Sequence, residues 1–345
     1  MKIAIYSLVL GFALLLSSCE TEPDIYIPSK PQPVIHAIFD DHDSIHYILV
    51  TKTFGAAKSS QDFRSIYDSI YFDEVNVEVM LKEQFTDSWI PIIPERVFAT
   101  GKEAGLFHYP DQEYFCFNRI ILDTPSHPLL RTTYSIDSIS VRVSIPGYED
   151  AYCLVKRIDS VDIVAPLFDQ TYLYLVPSSP LLFIWSGHAH AWSEFDVEFE
   201  FIEELETGYR SKWVVIQNTQ YDESAFSQYR QLNVTYEEFI REVLLQIDND
   251  PAVIRRYIGY VKMHIVGGDQ PMVEYMKYFN GYTDYNEQGY TNITNGLGVI
   301  ATSTRFSKDS MRFDYETRQT LINENRLKKL RICKWSSPEE ALYLP

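Results

Sequence analysis

The sequence predicts a mainly β protein of two antiparallel β-sandwiches, the second carrying short helical insertions. Three observations predict it. Short runs of β-branched and aromatic residues recur between polar turns through the first half, without amphipathic helices between them. A break at Asp159 to Pro166 precedes a second set of such runs. Helical spacing appears only within that second set.

The chain opens with Lys2 and an apolar run, Ile3 to Leu16, closed by Leu16-Ser17-Ser18-Cys19. The run is short for a bilayer-spanning helix of roughly 20 residues and has the shape of a secretory leader. Small residues before a cysteine form a lipobox. Residues 1–18 therefore read as a lipoprotein signal peptide, and Cys19 as the acylated start of the mature chain. An ordinary signal with an incidental cysteine is the alternative. Residues 19–33 are rich in Pro and acid and read as a flexible tether. Glu20, Glu22 and Asp24 behind the lipid fit either a solvated linker or an acidic signal resembling that of surface-exported Bacteroidota lipoproteins.

Residues 34–165 read as the first sandwich. Val34 to Phe39 and His46 to Val50 flank the turn Asp40-Asp41-His42-Asp43, which suggests a hairpin. Val75 to Leu81 alternates as a half-buried strand. Tyr114 to Leu122, Ile139 to Val143 and Tyr152 to Val155 follow, with a turn at Pro146-Gly147. Residues 166–345 read as the second sandwich. Its strands begin at Leu181 to Trp185, Phe195 to Phe201 and Trp213 to Ile216. Thr235-Tyr236-Glu237-Glu238 is a capping box, and Phe239, Ile240, Val243, Leu244 and Ile247 continue at helical spacing. Asp250-Pro251 is read as the start of another short helix. Tyr257 to Val266 is strand-like. Asp269 caps a helix at Gln270–Asn280 that Gly281 stops. Thr291 to Phe306 returns to strand, Arg318 to Lys329 is read as helical, and Leu330 to Cys333 as a closing strand.

Composition excludes some functions. The formal charge is −18, and loss of Lys2 with the leader takes it to −19. Such an acidic chain opposes binding to nucleic acid or anionic lipid. Three cysteines follow Cys19, so at most one intrachain disulfide forms. Cys116 and Cys153 are either bridged or buried as free thiols, and Cys333 is the third.

Candidate sites are few. Gly296-Leu297-Gly298-Val299-Ile300-Ala301 fits the dinucleotide pattern, but its β-branched context favours a strand over the required helix. Asp284, Asn286, Gln288 and Gly289 echo a calcium loop, with Asn295 where the bidentate Glu belongs. The acidic turn at Asp40 is read as a solvated hairpin tip. Trp185, His188, His190 and Trp192 form the most unusual cluster. His188 and His190 are two apart and could share a strand face, but structural zinc wants four ligands and no third is apparent. Trp192 with His188 and His190 is the candidate contact patch for a ligand; the alternative is core tryptophan with loop histidines. Asp-Ser steps before Ile, Val or Met place Ser44, Ser69, Ser138, Ser160 and Ser310 in tripeptides resembling an O-glycosylation acceptor; a turn entering a strand uses the same residues. Catalytic signatures are not found, and no cofactor, metal or enzyme activity is expected.

The order of features resembles a Bacteroidota lipoprotein family, domain-of-unknown-function family 4249, encoded beside TonB-dependent outer-membrane receptors. The matching pieces are Cys19, the tether, Val34 to Phe39, Gly105-Leu106-Phe107, Tyr134-Ser135-Ile136, Pro146-Gly147-Tyr148 and Thr291 to Val299. The resemblance implies two immunoglobulin-like sandwiches. It also implies a lipid-anchored outer-membrane protein, surface-facing, that serves a TonB-dependent receptor by binding without catalysis. A structural or adhesive envelope lipoprotein is the second reading and a hydrolase the third.

Overall fold

The computed structural model describes residues 30–40, 42–53, 66–84, 87–102, 111–118, 136–158, 160–167, 169–186, 191–221, 229–279 and 290–333. Cys19, Gly105 to Phe107, Tyr134, Ser135, His188, His190, Asp284, Asn286, Gln288 and Gly289 lie outside them. The fold is mainly β, in several sheets, and none closes into a barrel among the described residues.

The strands before residue 160 are β1 (Pro33–Asp40), β2 (Ile45–Lys52), β3 (Asn76–Glu83), β4 (Trp89–Ile92), β5 (Glu95–Ala99), β6 (Gln112–Asn118), β7 (Ile136–Ser144) and β8 (Ala151–Lys156). A one-turn helix, α1 (Tyr67–Ile70), lies among them. Beyond follow β9 (Asp162–Ala165), β10 (Tyr172–Leu173), β11 (Leu181–Ser186), β12 (Trp192–Leu205), β13 (Gly208–Tyr221), β14 (Tyr229–Val234), β15 (Arg255–Gly268) and β16 (Leu297–Phe313). Helices α2 (Tyr236–Gln246), α3 (Gln270–Phe279) and α4 (Tyr315–Asn323) and the 3-10 turn Asn325–Leu330 accompany them.

A nine-stranded sheet runs in the order β13-β12-β15-β16-β1-β2-β6-β5, with β10 beside the end of β16. β16 makes it continuous. Its first half pairs with β1, from Val34–Leu297 to Asp40–Ser303, and its second half pairs with β15, from Gly268–Ser303 to Tyr260–Arg312. The named pairings are mainly antiparallel, as expected, with β1–β16 and β10–β16 the parallel exceptions among the described residues. The first half of β16 therefore belongs to the sheet of the N-terminal segment, although its sequence lies in 166–345.

Two cores form on one side of this sheet. The four-stranded sheet β4-β3-β7-β8 packs over its β1, β2 and β6 part, where Ile35, Phe39, Ile48, Val50, Phe115 and Phe117 meet Val77, Val79, Val141 and Val143. Ile293 and Ile300 join that core from the C-terminal segment. The three-stranded sheet β14-β11-β9 and helix α2 cover the other part, where Phe195, Val197, Phe199 and Phe201 meet Phe183, Trp185, Phe239 and Val243. β9 falls within the sequence break at residues 159–166, yet it pairs with β11.

Local chemistry explains the helices. Thr235 Oγ1 accepts from the Glu238 N–H at 3.2 Å, and α2 buries Phe239, Ile240 and Val243. Gln246 at its end bonds both the N–H and the C=O of Val215, each at 2.9 Å, and so blocks the exposed edge of β13 at that point. The expected helix at Asp250-Pro251 is a turn. Asp250 Oδ1 captures the Ala252 N–H at 2.9 Å, and Ile254 N–H then bonds the Glu204 carbonyl. The expected strand at Leu330 to Cys333 shrinks to one bridge, Arg256 with Ile332, because Arg331 turns into the left-handed region. The Gly296 to Ala301 segment leads into β16, not a helix, which removes the dinucleotide reading.

Candidate functional site

The nine-stranded sheet has a second face, and its β1, β2 and β6 part is apolar. Alternation sends Ile35, Ile48, Val50 and Phe115 into the core. Their neighbours His36, Ile38, Tyr47, Leu49, Gln112 and Tyr114 line an outer groove of about 610 Å³. Register aligns them: His36 stands opposite Leu49 on β2 and opposite Val299 on β16. Tyr47 is 52% exposed and meets Tyr114 edge-on at 5.4 Å between ring centres. Val299 and Ala301 extend the floor, and Met272 and Tyr275 of α3 form the wall. The His36 ring lies edge-on to Tyr275 at 6.2 Å. Burial lowers the His36 pKa, so the ring is neutral at pH 7.

Asp269 holds that wall in place. It follows β15 and precedes α3. Oδ1 accepts from the Met272 N–H at 3.0 Å, and Oδ2 accepts from the Thr302 N–H at 2.9 Å and Thr302 Oγ1 at 3.0 Å. One carboxylate thus caps the helix and fastens it to β16. Burial pushes its pKa up to about 6 against those hydrogen bonds. Across it, the Cys153 thiol is pushed up to about 12 by burial and by the Asp269 charge, and burial raises Tyr290. The folded chain therefore holds the Asp269 proton more tightly than the unfolded chain, whose pKa stays near 3.8. This group's contribution to stability is full below pH 4 and is lost as pH rises through 6, a swing of about 3 kcal/mol. Denaturant titrations at pH 4.5 and 7.5 should show about 2 kcal/mol of that swing as the difference between wild type and Asp269→Asn, the remainder being lost already below pH 4.5. Parallel pH profiles for the two proteins would sink the assignment.

The residues singled out by sequence fall otherwise. Trp192 is 3% exposed and packs under α3 against Met272, Val273, Val299 and Ala301. It is core, so its ring is not a stacking face, because α3 covers the side of the sheet from which it projects. Trp185 is also buried and stacks on Phe195 at 4.8 Å. Ser138 is buried in β7 and donates to Asp137 at 2.7 Å; Ser69 is half-buried, and Ser44, Ser160 and Ser310 are exposed. Cys116 and Cys153 lie in different sheets and are not bridged, and Cys333 forms no disulfide among the described residues. The Asp40 carboxylate is engaged by the His42 N–H, Ser303 and Arg305. Burial opposes its ionisation, but these partners outweigh it and hold its pKa below the ordinary value. Asp40 is therefore an anchor of β1 to β16, not a solvated tip. No group of three or more His, Cys, Asp or Glu that could hold a metal occurs among the described residues.

The groove was not foreseen from sequence. Its only local signal is the run Ile45 to Val50, apolar on both faces where one solvated face should alternate to polar.

No family model and no curated protein matches the chain. Among solved structures, it is similar to a DUF4785 family protein from Legionella pneumophila, at 12% identity over 66% of this chain and with a TM-score of 0.19. The chain spans 51% of that protein's length. At that score the likeness decides neither architecture nor function.

Proposed function

We propose that this chain is a surface-facing outer-membrane lipoprotein, anchored through Cys19, that helps a TonB-dependent receptor bind or retain its substrate without chemical turnover. The observation that supports binding is the groove: an open apolar trough on a sheet face, beside a helix fastened by Asp269. Soluble domains leave such surfaces uncovered mainly where something docks. The architecture we propose is two immunoglobulin-like sandwiches that share β16. The two cores support it.

Mild-detergent purification of the tagged, lipidated protein from its native membranes tests the role. A TonB-dependent receptor is expected at near-equal amounts with the bait. Recovery of the bait with cell-wall or adhesion components, and no such receptor, would replace this reading with the structural envelope protein.

A further inference from the structure

The lining of the groove constrains the molecule that fits it. Among the described residues, that lining includes no Asp, Glu, Lys or Arg. A charged ligand seated there would lose its hydration without gaining a counter-ion. The chain's charge of −18 adds a long-range penalty for anions. Tyr47, Tyr114 and Tyr275 supply ring edges and faces, which favour flat aromatic partners in edge-on or offset geometry. The volume of about 610 Å³ lies within the usual range of small-molecule sites.

Gln112 and the tyrosine hydroxyls are also polar, but His36 is the polar side chain in the middle of the floor, on β1. Among the described residues the His36 ring makes an edge contact with Tyr275 and no hydrogen bond. A ligand that covers the ring takes away its water. The covered nitrogen then costs free energy unless the ligand supplies a partner. The neutral imidazole offers one donor and one acceptor.

We propose that the groove binds an uncharged aromatic small molecule bearing one hydrogen-bonding group, which meets the His36 ring. This rests on the reading of the groove as a binding site and adds the ligand class to it. The seat is Leu49 and Ile38 beneath the ring system, Tyr47 and Tyr114 at one end, and Met272 and Tyr275 along the helix side.

The probe is N-phenyl-1-naphthylamine, uncharged and aromatic with a single N–H; the comparison is the anionic 8-anilinonaphthalene-1-sulfonate. Both are titrated into the mature chain, residues 19–345, made without the leader and carrying Cys19→Ser, which avoids lipid and detergent. The neutral probe should saturate at one per chain and bind at least about tenfold more tightly than the anion. Leu49→Asp and, separately, Tyr47→Ala should each weaken it about tenfold, with melting temperatures held close to the parent. His36→Phe keeps a ring but removes both nitrogens, and should weaken binding about two- to tenfold. Equal or tighter binding of the anion, unsaturable binding, or indifference to Leu49→Asp and Tyr47→Ala would overturn the proposal. Indifference to His36→Phe alone would overturn the role of the imidazole. Receptor co-purification does not depend on the probe, so failure here with a receptor recovered would reject the ligand class and leave the receptor reading standing.

Discussion

Replacing Gly298 with alanine is expected to lower the melting temperature by about 10 °C. Gly298 sits in the parallel pairing with Ile35 at a φ of +100°, a conformation L side chains rarely adopt. Such strain alone costs of order 1–3 kcal/mol. The contact adds to it. A Cβ at this position would lie 2.1 Å from the Ile35 carbonyl oxygen and 2.9 Å from the Ile35 nitrogen. Those are backbone atoms of a core strand, so no flexible side chain can move aside. Ile35 itself is buried in the N-terminal core. The ladder must open at the place where β16 joins the two halves of the sheet, and the damage should spread into β1. Calorimetry of the variant gives the melting temperature, and amide exchange across residues 33–40 shows where protection is lost. A variant that melts within 2 °C of wild type would mean that β1 and β16 do not approach as described.

That junction also marks where reading the sequence stops working. Alternation within one strand is local, and it revealed β3 and β12 because Val77, Val79 and Leu81, or Phe195, Val197 and Phe199, recur at every second position. The caps of α2 and α3 were legible for the same reason: Thr235 and Asp269 act on N–H groups three residues away. Parallel pairing between residues 34–40 and 297–303 has no local signature, since its register is set by two cores and not by a turn. The groove depends on that pairing, because Val299 and Ala301 reach His36 and Ile38 only through it. Trp192 shows the converse. A conspicuous aromatic beside two histidines suggested a surface, but α3 lies over it, and its burial is decided by a helix about 80 residues further along.

Replacing Arg256 with methionine is expected to cost about 3–5 kcal/mol, lowering the melting temperature by about 10–15 °C. Arg256 and Glu203 are each 1% exposed. The guanidinium donates to Glu203 Oε1 at 2.7 and 2.9 Å, and to the carbonyls of Leu330 and Asp248 at 2.7 Å each. It thereby ties β15 to β12, to the end of the 3-10 turn and to the segment after α2. Methionine fills most of the space but leaves Glu203 facing Arg210 alone, whose Nε stays at 2.5 Å from Oε2. Burial decides the size of the effect. Arg326 also makes close contacts, with Glu237 at 2.6 Å and Glu324 at 2.9 Å, yet it is 42% exposed and Arg326→Met should cost less than about 1 kcal/mol. Replacing the buried pair together, Arg256→Met with Glu203→Leu, should recover only part of the loss. The carboxylate no longer lacks a partner, but the Leu330 and Asp248 carbonyls still lose their donor, at about 1–3 kcal/mol for each buried group left unpaired. Denaturant unfolding of the two single variants and the double completes the comparison. Full recovery in the double variant would show that Arg256 serves Glu203 alone, and equal losses for Arg256→Met and Arg326→Met would show that burial does not set the scale.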